Sequence, residues 1–118
     1  MSWHKQALHE LTKGRDVALI NRGSSMRGLI EDGQIVILGP VSGTEIKTGD
    51  MVMARIRKGR FIVHLVQDIS GNRYLIGNNL GGLDDWVTSD ALYGIVKNVL
   101  DEIPQETAMK LLDENDAT

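Results

Sequence analysis

The sequence predicts a mainly β domain, a sheet or partly open barrel with a short helix at each end. Between residues 17 and 94, apolar runs rich in Val and Ile alternate with segments of Gly, Asn and Asp, as in short strands joined by turns. The 118 residues suit one domain, because two cores would each have too little apolar surface. We therefore expect a single domain over residues 1–118, with its core at about residues 17–99.

A short amphipathic helix is predicted at the N-terminus, within residues 1–14. Ser2 is a candidate N-cap and Gly14 a stop signal. Apolar side chains recur at helical spacing on one face of this segment, namely at Trp3, Ala7, Leu8 and Leu11.

Six strands are predicted from the apolar runs that follow the helix. The turn at Lys58-Gly59 is the tightest hairpin signal, because glycine readily adopts the positive φ that a two-residue turn needs. The glycines at 77, 81 and 82 are expected in one flexible loop. The predicted strands are residues 17–21, 34–38, 51–57, 60–68, 73–76 and 91–99.

The tail, residues 101–118, is acidic and is predicted to be a peripheral helix with a frayed end. Pro104 is placed to begin this helix, since proline is favoured in the first helical turn. Its apolar stripe would consist of Ala108, Leu111 and Leu112. A solvated terminus is favoured over an acidic partner-binding tail.

Composition excludes several classes of function. A net charge of −3 provides no positive field for a polyanion, so no nucleic-acid partner is expected. The absence of cysteine excludes disulfides and a cysteine nucleophile. His4 and His9 are not at the i, i+4 spacing of paired metal ligands, so we expect neither metal nor cofactor. No run approaches the ~20 apolar residues of a membrane span, and a cytoplasmic location is predicted.

Two residues are candidates for chemistry, although each also has a purely structural explanation. Ser25 follows a predicted strand in a Gly-Ser-Ser segment, and most serines in such loops form turns or face solvent. His64 lies within an apolar strand on the same face as Ile62 and Val66, where its ring needs a hydrogen-bond partner. That partner is either a backbone carbonyl in the core or a nearby hydroxyl.

Four segments in order resemble the superfamily of type I signal peptidases and LexA-like self-cleaving repressors. They are Gly-Ser-Ser-Met at 23–26, Ile-Glu-Asp-Gly-Gln-Ile-Val at 30–36, Thr-Gly-Asp-Met-Val at 48–52 and Val-His-Leu-Val at 63–66. The resemblance covers about residues 17–96 and implies a LexA/signal-peptidase-like β-ribbon or partly open barrel. It also implies that Ser25, which precedes Met26, is the nucleophile and that His64 is the base.

The resemblance further separates two branches by the base they use. Bacterial signal peptidases and the repressors use lysine, whereas the archaeal and endoplasmic-reticulum enzymes have histidine in a Val-His-Arg context. This chain resembles the histidine branch, with Leu65 in place of the arginine. The resemblance also implies a Gly-Asp-Asn segment late in the domain. In this chain the corresponding residues are Gly77-Asn78-Asn79, so Asn78 replaces the expected acid. The remaining support residues are Ser24 and Met26 beside the nucleophile, and Asp84 and Asp85, which can orient the imidazole or be exposed loop residues.

The predicted function is a serine endopeptidase that cleaves a peptide or protein substrate. The alternative is a catalytically inactive binding or regulatory module, which Asn78 and the absence of a membrane anchor favour. A self-cleaving repressor is disfavoured, because neither a DNA-binding domain nor an Ala-Gly dipeptide precedes Ser25. The resemblance also allows a homodimer, since LexA-like relatives pair through their C-terminal domains.

Overall fold

The computed structural model describes residues 2–102 and 111–114, which form one helix and one open sheet of eight strands. This confirms the predicted mainly β class and the N-terminal helix. The helix α1 spans Trp3–Thr12. The strands are β1 Val17–Ile20, β2 Ile35–Pro40, β3 Met51–Arg55, β4 Phe61–Ser70, β5 Arg73–Gly77, β6 Leu83–Thr88, β7 Leu92–Leu100 and β8 Leu111–Asp113.

The strands are arranged in the order β6-β5-β4-β3-β7-β2-β1-β8. Neighbouring strands are antiparallel except for β1 and β8, which run parallel, so the sheet is mixed. No helix in the described part of the chain has the length and apolar character needed to cross a membrane.

Two apolar clusters cover opposite faces of the central strands. The first contains the buried stripe of α1, formed by Trp3, Ala7 and Leu11. In β4, Val63 and Leu65 belong to this cluster, whereas Ile62 and Val66 belong to the second cluster. This division follows the two-residue alternation of strand side chains. His64 therefore shares the strand face of Ile62 and Val66, as the sequence predicts.

The hairpin turns differ in one respect from the prediction. The β3–β4 connection, residues 56–60, contains a three-residue 3-10 turn, Arg57–Gly59, and is closed by a hydrogen bond from the Ile56 N–H to the Arg60 carbonyl at 2.8 Å. Lys58 has a φ of 63° and Gly59 a φ of 73°, so the glycine avoids the strain that a second side chain would suffer there. The two-residue turn lies between β4 and β5 instead.

Two predictions about the edge strands of the sheet, β6 and β8, need correction. Asp84 and Asp85 lie in strand β6 and not in a loop. Leu111 and Leu112, expected on a C-terminal helix, lie in strand β8, where Leu112 is buried in the first cluster. Backbone pairing with the edge strand β1 explains this difference, because an unpaired edge can accept a short segment without helical periodicity. Pro104 and Ala108 lie outside the described residues.

Candidate active site

Ser25 lies in the connection between β1 and β2, residues 21–34, called the Ser25 loop below. The ends of the loop are joined by a 2.8 Å hydrogen bond from the Asn21 N–H to the Gln34 carbonyl. Met26 and Ile30 are fully buried in the first apolar cluster. Burial of both side chains holds the loop against the core and leaves Ser25, next to Met26, partly exposed.

Ser24 and Met26, the residues on either side of Ser25, are the predicted support of the nucleophile. The Met26 side chain is fully buried and packs in the core, where its thioether offers no hydrogen-bond donor. Ser24 is exposed, and its carbonyl accepts the Arg27 N–H at 3.0 Å. Within the described part of the chain, the N–H of Ser25 has no acceptor, so it remains a candidate donor to an oxyanion.

His64 lies near the middle of β4, opposite Val52 of β3, and is 7% exposed. Its Nε2 is 3.0 Å from the Ser25 Oγ, and its Nδ1 is 2.6 Å from the Asp84 Oδ2. Both ring nitrogens therefore have partners, as a buried imidazole requires. The sequence allows either a backbone carbonyl or a nearby hydroxyl as a partner of His64. In the structure, the Ser25 hydroxyl is the partner of Nε2.

A β-bulge brings Asp84 to the imidazole. In the β5–β6 ladder Ile76 pairs with Asp85 and Gly77 pairs with Leu83, so Asp84 is an extra residue without a partner in β5. A bulge of this kind turns a side chain away from regular strand alternation. The Asp84 side chain is only 17% exposed, so its bond to His64 lies largely out of water, where electrostatic interactions are stronger.

The three side chains form a continuous Ser-His-Asp hydrogen-bonded chain. With the Nδ1 proton donated to the Asp84 carboxylate, Nε2 presents its lone pair to the Ser25 hydroxyl, which is the arrangement of a serine nucleophile with its base and orienting acid. The family model described as Peptidase S24-like matches residues 1–91, more than three quarters of the chain and all three side chains. The chain belongs to the Peptidase S24-like family. Among curated proteins, none matches it.

This S24-like domain thus falls within the LexA and signal-peptidase superfamily and a family of serine peptidases, in agreement with the resemblance stated above. The matched residues include α1 and strands β1 to β6. Strands β7 and β8 follow the match, although β7 is central in the sheet.

Asn78, at the position where an acid was expected, has a structural role in the S24-like domain. Its Oδ1 accepts the Leu80 N–H at 2.9 Å and the Gly82 N–H at 2.8 Å, both within the β5–β6 connection. The acid next to His64 is Asp84.

Asp85 is directed to Arg57 and does not hydrogen-bond to His64. The Arg57 backbone N–H donates to the Asp85 Oδ2 at 3.0 Å, and the Arg57 guanidinium lies 3.5 Å from the Asp85 Oδ1. The same guanidinium donates to the Asp84 carbonyl at 3.0 Å. This exposed cation therefore supports the backbone of β6 at the bulge from which the Asp84 carboxylate projects.

The segment that precedes Ser25 also contacts strand β8. The Arg22 guanidinium donates to both carboxylate oxygens of Asp113, at 3.0 and 2.8 Å, and the Arg22 N–H donates to the Glu114 Oε1 at 3.0 Å. Burial raises the pKa of Glu114 to about 7. The hydrogen bond from Arg22 opposes this increase, and the negative charge of Asp113 adds to it.

The Glu114→Gln variant is expected to be more stable than the wild type at pH 8 and to differ little from it at pH 5. Because the folded-state pKa of Glu114 is raised from 4.5 to about 7, the folded protein binds this proton more tightly than the unfolded chain. Wild-type stability should therefore fall as the pH rises through this interval, by about 1–3 kcal/mol, since one pKa unit corresponds to about 1.4 kcal/mol.

Thermal unfolding of both proteins at several pH values between 5 and 8 measures this difference. Glu45→Gln is the control, because the Glu45 side chain is 83% exposed. Wild-type and Glu114→Gln stabilities that change in parallel across this range would contradict the prediction.

Sequence reasoning missed strand β6, and with it the reason why Asp84 rather than Asp85 meets His64. The run Trp-Val-Thr at residues 86–88 has the β-branched and aromatic character of a strand and is a signal that could have shown β6. No local signal indicates the bulge, because it depends on the pairing with β5.

Proposed function

We propose that this S24-like domain is a serine endopeptidase with Ser25 as nucleophile, His64 as general base and Asp84 as the residue that orients the imidazole. The observation that supports this most directly is the pair of hydrogen bonds on one ring, 3.0 Å to the Ser25 Oγ and 2.6 Å to the Asp84 Oδ2. Membership in a serine peptidase family is independent support. Under this proposal, the domain belongs to the histidine-base branch.

In the proposed reaction, the His64 Nε2 removes the hydroxyl proton as the Ser25 Oγ attacks the carbonyl carbon of the substrate. The negative charge on the carbonyl oxygen is stabilised by donors that include the Ser25 N–H. The Asp84 carboxylate stabilises the imidazolium, which then protonates the departing amine and leaves an acyl-enzyme. His64 then deprotonates a water molecule, which attacks the acyl carbon. The bond between the Ser25 Oγ and the acyl carbon breaks, Oγ takes the proton back from His64, and the carboxylic acid product leaves.

The alternative function is a peptidase-like binding or regulatory module without turnover. Asn78 is one of the features that favour it in the sequence, since an acid is missing there. The Asp84 carboxylate at 2.6 Å from His64 removes that argument and favours the enzyme. A protein or peptide is the partner in either case, and the homodimer and the cytoplasmic location stay predictions.

A fluorophosphonate probe, which reacts with activated serine hydroxyls, tests the proposal. We expect the wild-type protein at pH 8 to gain one adduct, located by peptide mass spectrometry on Ser25. Ser42→Ala is the matched control and should keep the adduct, because Ser42 is an exposed serine outside the Ser25 loop. Folded wild-type protein without an adduct and without cleavage of a peptide mixture would contradict the enzyme and support the binding module.

A further inference from the structure

Asn79 joins the Ser25 loop to the connection between β5 and β6. Its backbone N–H donates to the Ser25 carbonyl at 2.9 Å. Its side-chain Nδ2 donates to the Arg27 carbonyl at 2.7 Å. One residue thus satisfies two carbonyls on either side of Met26, within the loop that presents the Ser25 hydroxyl.

The Ser25 loop is shaped to receive this side chain. A Cβ on Gly28 would lie 2.9 Å from the Asn79 Nδ2, closer than real Cβ atoms approach another heavy atom. Gly28 also has a φ of 99°, which side-chain-bearing residues rarely adopt. The absence of a side chain at residue 28 therefore leaves the space that Asn79 occupies.

The β5–β6 connection, which contains Asn79, is held in place by hydrogen bonds of Asn78. The Gln67 side chain in β4 donates to the Asn78 carbonyl at 2.7 Å, and the Asn78 side chain accepts two N–H groups of its own connection. A Cβ on Gly77 would lie 2.5 Å from the Gly82 carbonyl oxygen, so the two ends of the connection approach closely. This connection leads directly into the bulge at Asp84.

We propose that Asn79 is a positioning residue that keeps the Ser25 hydroxyl at hydrogen-bond distance from His64, an inference that rests on the proposed function. The contacts close a ring: Asn79 links the Ser25 loop to the connection that leads into β6, Asp84 of β6 binds His64, and His64 binds Ser25. The described hydrogen bonds that Asn79 donates go to the Ser25 loop and not to the imidazole. Its effect is on the separation of Oγ and Nε2, and a displacement of about 1 Å can lower a rate by about 100-fold.

Two variants remove the side-chain hydrogen bond of Asn79 and leave its backbone hydrogen bond to the Ser25 carbonyl in place. Asn79→Ala removes the donor to the Arg27 carbonyl and keeps the backbone N–H for Ser25. Asn79→Asp keeps the shape but cannot donate, because an ionised carboxylate only accepts. Both variants are expected to lower kcat for peptide cleavage by about 10- to 100-fold, with KM changed by less than about threefold.

Asn98→Ala is the matched control, because Asn98 is an exposed asparagine on β7 without a side-chain hydrogen bond among the described residues. It should leave kcat and KM within about twofold of the wild type. A wild-type kcat in both Asn79 variants, or equal losses in Asn98→Ala, would overturn the positioning role.

Amide hydrogen exchange provides a readout that does not need activity. In a Ser25→Ala background, adding Asn79→Ala should speed exchange about tenfold or more in residues 24–30, with α1 and β7 unchanged. Unchanged exchange in residues 24–30 would overturn the proposal even if kcat fell. If the wild type has no turnover, the proposed function fails, and the exchange experiment alone decides whether Asn79 holds the loop.

Discussion

Replacement of His64 by alanine is expected to lower kcat/KM for peptide cleavage by about 10⁴- to 10⁶-fold, and Ser25→Ala should cause a loss of the same size. The Ser25 Oγ is 3.0 Å from Nε2, and without the imidazole no other residue in the described part of the chain hydrogen-bonds to this hydroxyl and could accept its proton. Because the proposed mechanism makes the two residues act as one unit, the double variant should be no slower than either single variant. Initial rates on a peptide found with the wild-type protein measure this.

The His64 variants also affect stability and need a control for folding. Deleting the ring leaves the Asp84 carboxylate, 17% exposed, without its partner. His64→Gln keeps more of the side-chain volume and polarity and should be equally inactive while unfolding closer to the wild-type temperature. His9→Ala, on the exposed side of α1, should keep full activity. More than a tenth of wild-type activity in a folded His64→Gln protein would contradict the role of His64 as base.

Replacement of Asp84 by asparagine is expected to lower kcat by about 10³- to 10⁴-fold. The amide has nearly the same shape, but it can donate its N–H to Nδ1 instead of accepting the Nδ1 proton across 2.6 Å. The ring would then carry its proton on Nε2, and a protonated Nε2 cannot accept the hydroxyl proton of Ser25. The loss should appear in kcat more than in KM, because the interaction matters most when the imidazole becomes charged.

Asp85→Asn is the matched control for this prediction, one residue along the same strand. The Asp85 carboxylate binds Arg57 and has no bond to His64, so the loss of one exposed ion pair should change kcat by less than about tenfold. Equal losses in Asp84→Asn and Asp85→Asn would indicate that both act through the stability of β6, and Asp84 would then have no orienting role.

The sequence alone determined the fold class, α1 and the approximate positions of six strands. These features depend on local patterns, namely helical spacing in residues 2–13, alternation in the strands and glycines in the turns. The ordered segments around Ser25 and His64 also made them a predicted pair, because the resemblance supplied a relation that neither residue reveals by itself.

The tertiary structure decided which residues complete the candidate site. Asp84 and Asp85 are equivalent in sequence, and only the bulge in the β5–β6 ladder turns Asp84 to His64 and leaves Asp85 with Arg57. Pairing with the edge strand β1 likewise makes Leu111–Asp113 a strand, although its local pattern predicts a helix. Strand register, bulges and edge pairing join residues that are far apart in the chain, so local patterns do not specify them.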